Sequence, residues 1–431
     1  VISGDTPLDH VTPYDRFAWS DAHIERCLAT GAQRDELRAY FGAAEYRALS
    51  ALARRAERPR LANPPLRVFI VPGIMGSQLG LRRPAPLPHD ILWLDPLDVQ
   101  RGRLAALRLP SGNSIVPMGV VLFSYLRLKL HLRAGGYAAE YHDYDWRLPV
   151  SASGHLLAQK LRAAKGARVA IVAHSMGGLV SRAALALPET DHVERVVLLG
   201  TPNSGSFAAV QALRGTYAVV RKLARLATHS CAESLSAEVF NTFPSLYDLL
   251  PTGRVGGRTD LFDARQWPPS GPQPLPELLR RARSAHEQLA AADERFTVIA
   301  GVGEETVTAV RRRRGEFVYT LTRRGDGTVP VASAQLPGAR SVYARVAHSE
   351  LTRDRQVAAA VVDLLRSGAT ARLPARFESA SRAQASVSDR ELRRMQAQKV
   401  DWAALSPDER RRFLENLNEP PRLRLRVPRR G

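Results

Sequence analysis

A serine hydroxyl attacks an ester only when a base takes its proton and a carboxylate orients that base. Ser175 stands in Ala173-His174-Ser175-Met176-Gly177-Gly178, directly after the apolar run Arg168-Val169-Ala170-Ile171-Val172. A strand that ends in x-His-Ser-x-Gly-Gly and turns into a helix has the form of a nucleophile elbow, a strained turn that exposes the serine hydroxyl. Gly177 and Gly178 let strand and helix approach on one side; on the other, Ala173 replaces the usual glycine. On such an elbow the acid and then the histidine follow in chain order. Asp326 lies downstream in Arg324-Gly325-Asp326-Gly327-Thr328-Val329-Pro330, just after the strand-like Phe317-Val318-Tyr319-Thr320-Leu321, and His348 is the one histidine beyond it. A Gly-Asp-Gly turn alone is common, and a lone loop histidine is usually solvated. It is the order Ser175, Asp326, His348 that makes them a nucleophile, an orienting acid and a base.

His174 is the competing base. At an elbow its side chain is expected to point away from the pocket into the packing beneath, which makes it structural. The oxyanion formed on attack needs two backbone N–H donors. One is expected from Met176, the residue after the nucleophile. The other is expected from Ile74, in the glycine-containing loop Val71-Pro72-Gly73-Ile74-Met75-Gly76-Ser77. A phosphate-cradling reading of that loop is the poorer one, since no lysine follows at the required spacing.

These groups need a scaffold that ends strands near one another. Residues 1 to about 60 carry apolar residues at helical spacing, interrupted by Gly42, and Asn63-Pro64-Pro65 marks a break. From Leu66 short β-branched runs alternate with helical stretches. Arg67–Val71, Arg168–Ala173, Val193–Leu199, Phe296–Ala300 and Arg340–Val346 read as buried strands. That alternation predicts an α/β fold with a mostly parallel central sheet and helices on both faces. Ser349 is expected to cap a last helix running to about Arg366, with Gly368 as its stop. The expected organisation is a helical N-terminal segment at 1–62, an α/β domain at 63–368 with a cap or lid insertion at about 203–290, and a basic tail at 369–431. Helices are expected in the tail at Asp389–Gln398 and at Pro407–Asn416, the latter capped by Ser406. The alternating Arg422–Arg430 suggests a strand.

Seven motifs then occur in one order: Val71–Leu79, Leu92-Trp93-Leu94-Asp95, Tyr144-Asp145-Trp146-Arg147, Ala173–Gly178, Thr201–Ser206, Pro244–Pro251 and Gly325–Pro330. Together they resemble the lecithin:cholesterol acyltransferase family, with its lysosomal phospholipase A-like and bacterial lipase-like members, over about Leu66–Arg366. The resemblance implies an α/β-hydrolase fold, Ser175, Asp326 and His348 as the triad, and an acyl-serine intermediate whose acyl group passes to water or to an alcohol. By the same analogy Tyr144–Arg147 supports the floor of the site, Asp145 pairing with Arg147 or a neighbour. The cysteine-bridged lid of the animal members is missing, because no cysteine lies between Cys27 and Cys231.

Composition narrows the partners. Two distant cysteines form neither a disulfide framework nor a metal cluster, so no cofactor and no metal is expected. The net charge of +20 is compatible with anionic surfaces, but the arginines are not interleaved with aromatics and no nucleic-acid motif is present. The expected partner is an acyl ester or phospholipid. Phe207–Ala227 reads as one basic, largely apolar helix bearing Arg214, Arg221, Lys222 and Arg225. It either lies on an anionic membrane or packs as a cap on the core. Arg311–Arg314 reads as a solvated hairpin tip. No run of 18 apolar residues exists, and Val1–Asp5 shows neither a methionine nor a signal peptide, which fits a fragment or a processed form. The expected compartment is the bacterial cytoplasm, with peripheral membrane contact as the variant. The functional expectation is a serine esterase or lipase, with acyl transfer to an alcohol as the alternative. A silent binding module is disfavoured by the intact Ser-Asp-His order.

Overall fold

The computed structural model describes residues 20–57, 66–112, 114–256, 259–378, 384–395 and 398–417. The readings made for Val1–Asp5, Asn63–Pro65 and Arg422–Arg430 lie outside them. The described strands are β1 (Arg67–Val71), β2 (Ser77–Leu81), β3 (Asp90–Trp93), β4 (Val116–Val120), β5 (Ala138–Tyr141), β6 (Val169–His174), β7 (Val193–Leu199), β8 (Phe296–Gly301), β9 (Thr306–Arg313), β10 (Glu316–Thr322), β11 (Arg340–Ala344) and β12 (Ala385–Ser388). Six of them form the central sheet in the order β11-β8-β7-β6-β1-β5, and every neighbouring pair is parallel.

Alternate residues of each central strand enter different cores, as the two-residue period of a strand dictates. Val68 and Ile70 of β1, Ala170 and Val172 of β6, and Val197 and Leu199 of β7 pack in one cluster with Ile24, Leu28, Leu49 and Leu126. Those last residues belong to the helices Asp21–Thr30, Ala43–Ala56 and Leu122–Ala134. Phe69, Val71, Ile171, Ala173, Val196 and Leu198 pack in the other, with Leu157 and Leu179 from the helices Val150–Ala163 and Met176–Leu185. Burial on both faces explains why these strands read as continuous apolar runs rather than alternating ones. This is an α/β-hydrolase fold.

Two small antiparallel sheets, β3-β2-β4 and β12-β10-β9, flank the main one. The expected hairpin tip is present: β9 and β10 pair across Arg314-Gly315, and Arg311–Arg314 are exposed. The second small sheet also draws in the tail, because β12 pairs antiparallel with β10. Arg214 and Asp389, both fully buried, fasten it further with an ion pair at 3.0 Å.

Three local expectations need correction. Phe207–Ala227 is not one helix but two, Phe207–Leu213 and Ala218–Leu226, because the chain turns at Gly215 with φ 69° against the backbone of Ala232. Ser349 does not cap the last helix. His348–Glu350 is a short 3₁₀ turn, and the helix Arg355–Ser367 is capped by Asp354, whose side chain accepts the Val357 N–H at 2.8 Å. Gly368 does end that helix, in the left-handed conformation. In the tail, the first helix stops at Arg394, whereas Pro407–Glu415 is present with Ser406 as its cap.

Candidate active site

Ser175 joins β6 to the helix Met176–Leu185 with φ 53° and ψ −129°, a conformation that non-glycine residues rarely adopt. The turn is held by the Ser175 N–H donating to Leu199 O at 2.8 Å and by the Gly178 N–H donating to Ser175 O at 3.0 Å. A Cβ at Gly177 would lie 2.4 Å from Val71 O, and one at Gly178 2.0 Å from the Thr201 hydroxyl. Both positions therefore demand glycine. Ala173 lies in β6, buried, and needs no such freedom.

The three expected side chains meet. His348 Nε2 lies 2.9 Å from Ser175 Oγ, and His348 Nδ1 lies 2.8 Å from Asp326 Oδ2. The other carboxylate oxygen, Asp326 Oδ1, accepts the backbone N–H groups of Thr328 at 3.0 Å and Val329 at 2.7 Å. An ionised carboxylate only accepts, so Nδ1 carries the imidazole proton and Nε2 is left to accept from the serine hydroxyl. All three residues are buried. Asp326 reaches this point differently from the sequence reading. β10, which precedes it, belongs to the small antiparallel sheet rather than the central one. The returning loop is held by the Glu304–Asp326 bridge and by the His348 N–H donating to Asp326 O at 2.8 Å.

Met176 is the first residue of its helix, so its N–H has no acceptor within that helix. Ile74 lines the cavity over Ser175, in the loop between β1 and β2. That loop presses close: a Cβ at Gly73 would fall 2.8 Å from Ser175 Cβ. The motif residues brace it. Tyr144 donates to Pro72 O at 2.7 Å, Trp146 to Ser77 O at 3.0 Å, and Trp93 to Met75 O at 2.9 Å. Asp145 and Arg147 form the expected buried ion pair, at 2.6 Å.

His174 departs from the sequence reading in place though not in kind. It borders the cavity, yet both ring nitrogens are engaged: Nδ1 with Tyr125 Oη at 3.0 Å, and Nε2 with His348 O at 3.1 Å. Burial, and secondarily the nearby His348, hold its pKa well below the usual imidazole value.

The cavity over Ser175 measures about 70 Å³. Its walls include Trp93, Phe123 and Tyr217, and also Leu414, Glu415 and Leu417 from the C-terminal segment. Burial chiefly, with Asp326 nearby, pushes the Tyr217 hydroxyl up to about 12. The same segment meets the basic helix Ala218–Leu226. Arg221, Lys222 and Arg225 donate to the carbonyls of Met395, Asn416 and Gln398. Sequence spacing marked neither Tyr125 nor Tyr217 nor the tail leucines. Each reaches the site by tertiary packing. Among the described residues, no group of three His, Cys, Asp or Glu side chains could hold a metal ion, and no helix is long and apolar enough to cross a membrane.

Residues 155–262 match the family model described as a PGAP1-like alpha/beta domain. A search of curated proteins found no match. Among solved structures, the chain is similar to the lipase BlEst2 of Bacillus licheniformis in its mature form, at 17% identity over 72% of this chain and 94% of that one, with a TM-score of 0.37. For the propeptide form of that lipase the values are 18%, 69%, 48% and 0.35. For a chain of the Tle4–Tli4 complex they are 15%, 72%, 100% and 0.41. The parallel sheet with its elbow at the end of β6 and the partial family match together place the chain among alpha/beta proteins of hydrolase type.

Proposed function

We propose that this chain is a serine acyl-ester hydrolase of the lipase or esterase kind, acting through an acyl-serine intermediate. One observation carries the reading: an elbow serine at φ 53° in a hydrogen-bonded line with an imidazole at 2.9 Å and a carboxylate at 2.8 Å beyond it. Ser175 Oγ attacks the ester carbonyl while His348 Nε2 takes its proton, and Asp326 keeps Nδ1 protonated and stabilises the imidazolium. The oxyanion falls to the N–H groups of Met176 and Ile74. His348 returns the proton to the leaving alcohol, then activates a water that releases the acid. The order of seven motifs supports a lecithin:cholesterol acyltransferase-like relative and a lipid ester as substrate. The same intermediate passing its acyl group to an alcohol is the second reading.

The test is direct. A panel of p-nitrophenyl esters and phospholipids is turned over by the protein and not by Ser175→Ala, and a fluorophosphonate labels Ser175. Equal turnover by the two proteins, or no label on folded protein, refutes the assignment. Product analysis with a long-chain alcohol present separates transfer from hydrolysis.

A further inference from the structure

The loop that carries the proposed oxyanion donor follows β1, and the proposed base follows β11. Three strands of the central sheet separate them. One line of buried hydrogen bonds nevertheless joins the two. The Gly73 N–H donates to Tyr125 Oη at 2.9 Å, Tyr125 Oη lies 3.0 Å from His174 Nδ1, and His174 Nε2 lies 3.1 Å from the His348 carbonyl oxygen. Gly73 precedes Ile74, and His348 is the residue whose ring faces Ser175.

The protons in this line have one self-consistent arrangement. A carbonyl oxygen only accepts, so His174 must carry a proton on Nε2. A neutral imidazole then leaves Nδ1 as an acceptor. Tyr125 fills it with its hydroxyl proton, and its lone pair is free for the Gly73 N–H. Every donor meets an acceptor, and reversing any one bond sets two acceptors or two donors face to face. Burial favours the neutral ring that the arrangement needs.

We infer that Tyr125 and His174 are positioning residues, which hold the oxyanion loop and the backbone of His348 in register across Ser175. The inference rests on the acyl-serine reading of the site. Neither side chain hydrogen-bonds a reacting atom, although the His174 ring packs against the His348 ring with centroids 4.8 Å apart. Each fixes a backbone group, so that two loops from distant strands keep one spacing. Tyr125 is suited to this because it projects from the helix Leu122–Ala134 to the Gly73 turn. A Cβ on Gly76 would lie 2.7 Å from its hydroxyl, so the loop is wrapped closely around it.

The test uses Tyr125→Phe, His174→Gln and the double variant, with thermal unfolding as the control for folding. Misplacing a reacting group by about an ångström costs on the order of a hundredfold. Each single variant is therefore expected to lose about 10- to 100-fold in kcat with KM changed less than about twofold. Affinity for an alkyl boronic acid, which mimics the tetrahedral adduct, is expected to fall in parallel. The double variant is expected to be no worse than the poorer single one, because either change breaks the same line. Folded variants with kcat within about twofold of the parent overturn the inference, as do additive losses. Should the variants fail to fold, nitrogen NMR of the unmodified protein decides. The expected state of His174 is neutral with the proton on Nε2, and a proton on Nδ1 refutes the relay. If the unmodified protein is neither labelled at Ser175 nor active on any ester, the acyl-serine reading fails and the positioning role with it. A labelled parent beside unimpaired variants sinks the positioning role alone.

Discussion

Replacing Asp326 with Asn isolates the orientation of the base from the other work of that carboxylate. Oδ1 accepts two backbone N–H groups, from Thr328 and Val329, while Oδ2 alone faces His348 Nδ1. In Asp326→Asn the amide oxygen must keep the Oδ1 place, since an NH₂ there would confront two donors. The NH₂ is then forced toward His348 and donates to Nδ1. The imidazole proton moves to Nε2, where it points at Ser175 Oγ and can no longer take the hydroxyl proton. The loop keeps both backbone bonds and the asparagine still contacts the ring, so stability is expected to change by less than about 1 kcal/mol. Turnover is expected to fall by about 10⁴-fold, the cost of a wrong tautomer in a serine–histidine–aspartate site. The measurement is kcat on a short p-nitrophenyl ester beside urea unfolding of both proteins. A kcat within tenfold of the parent, in a variant of unchanged stability, would show that Asp326 does not orient the base.

Four further outcomes follow from the same geometry. Gly177→Ala drives a Cβ into the carbonyls of Val71 and Pro72, at 2.4 and 2.5 Å. It is expected to cost about 1–3 kcal/mol in urea unfolding and to abolish labelling of Ser175. Leu414→Ala with Leu417→Ala enlarges the cavity over Ser175. The ratio of kcat/KM for octanoyl over acetyl esters is expected to rise about tenfold, and an unchanged ratio removes these leucines from the acyl site. Arg214→Met removes the nearest cation from buried Asp389, which keeps the Tyr319 hydroxyl at 2.7 Å and Arg393 at 3.8 Å. It is expected to cost about 3–5 kcal/mol, read by chemical denaturation. Burial, with Lys160 nearby, depresses the His142 pKa to about 3, so the unfolded chain binds a proton between about pH 6.5 and 3 that the folded chain does not. The stability held above pH 6.5 is therefore lost as pH falls through that window, by about 1.4 kcal/mol per unit, and His142→Phe is expected to flatten the slope.

Much of this site is legible in the sequence because its parts obey local rules. β6 and the elbow are contiguous, Gly177 and Gly178 stand at fixed offsets from the serine although the contacts that demand them come from Val71, Pro72 and Thr201, and Asp326 and His348 each follow a strand in the required order. What was not legible depends on distance. Phe207–Ala227 keeps helical spacing throughout, yet the helix breaks between Leu213 and Ala218, where Gly215 takes φ 69° in a place that a Cβ would bring within 2.9 Å of Ala232 O. Ser349 is as good a cap by type as Asp354, but it lies inside the 3₁₀ turn His348–Glu350 that carries His348 to Ser175, so the helix starts later. Tyr125 sits in a leucine-rich helix, where its hydroxyl has no local signature. The walls contributed by Leu414 and Leu417 come from a tail whose attachment depends on β12 pairing with β10 and on the Arg214–Asp389 pair, contacts of long sequence separation.

The strain at Ser175 and the proposed oxyanion site are one structural fact rather than two. A residue held at φ 53° costs about 1–3 kcal/mol and persists only where its surroundings over-determine it. Here those surroundings are the carbonyls of Val71 and Pro72 under Gly177, the Thr201 side chain against Gly178, and Gly73 packed on the Ser175 side chain. Val71 and Pro72 open the loop that carries Ile74, and Gly177 follows Met176. The contacts that force the serine into its turn therefore also set the spacing between the two proposed N–H donors. Relaxing the elbow must separate the donors, and spreading the donors must relax the elbow. This coupling explains why glycine is required at three positions around one serine while Ala173, on the strand side, is tolerated. The strand side is fixed by sheet pairing, and β6 is flanked in register by β1 and β7 up to the nucleophile. The helix side has no such pairing, so its position must be set by close contact alone.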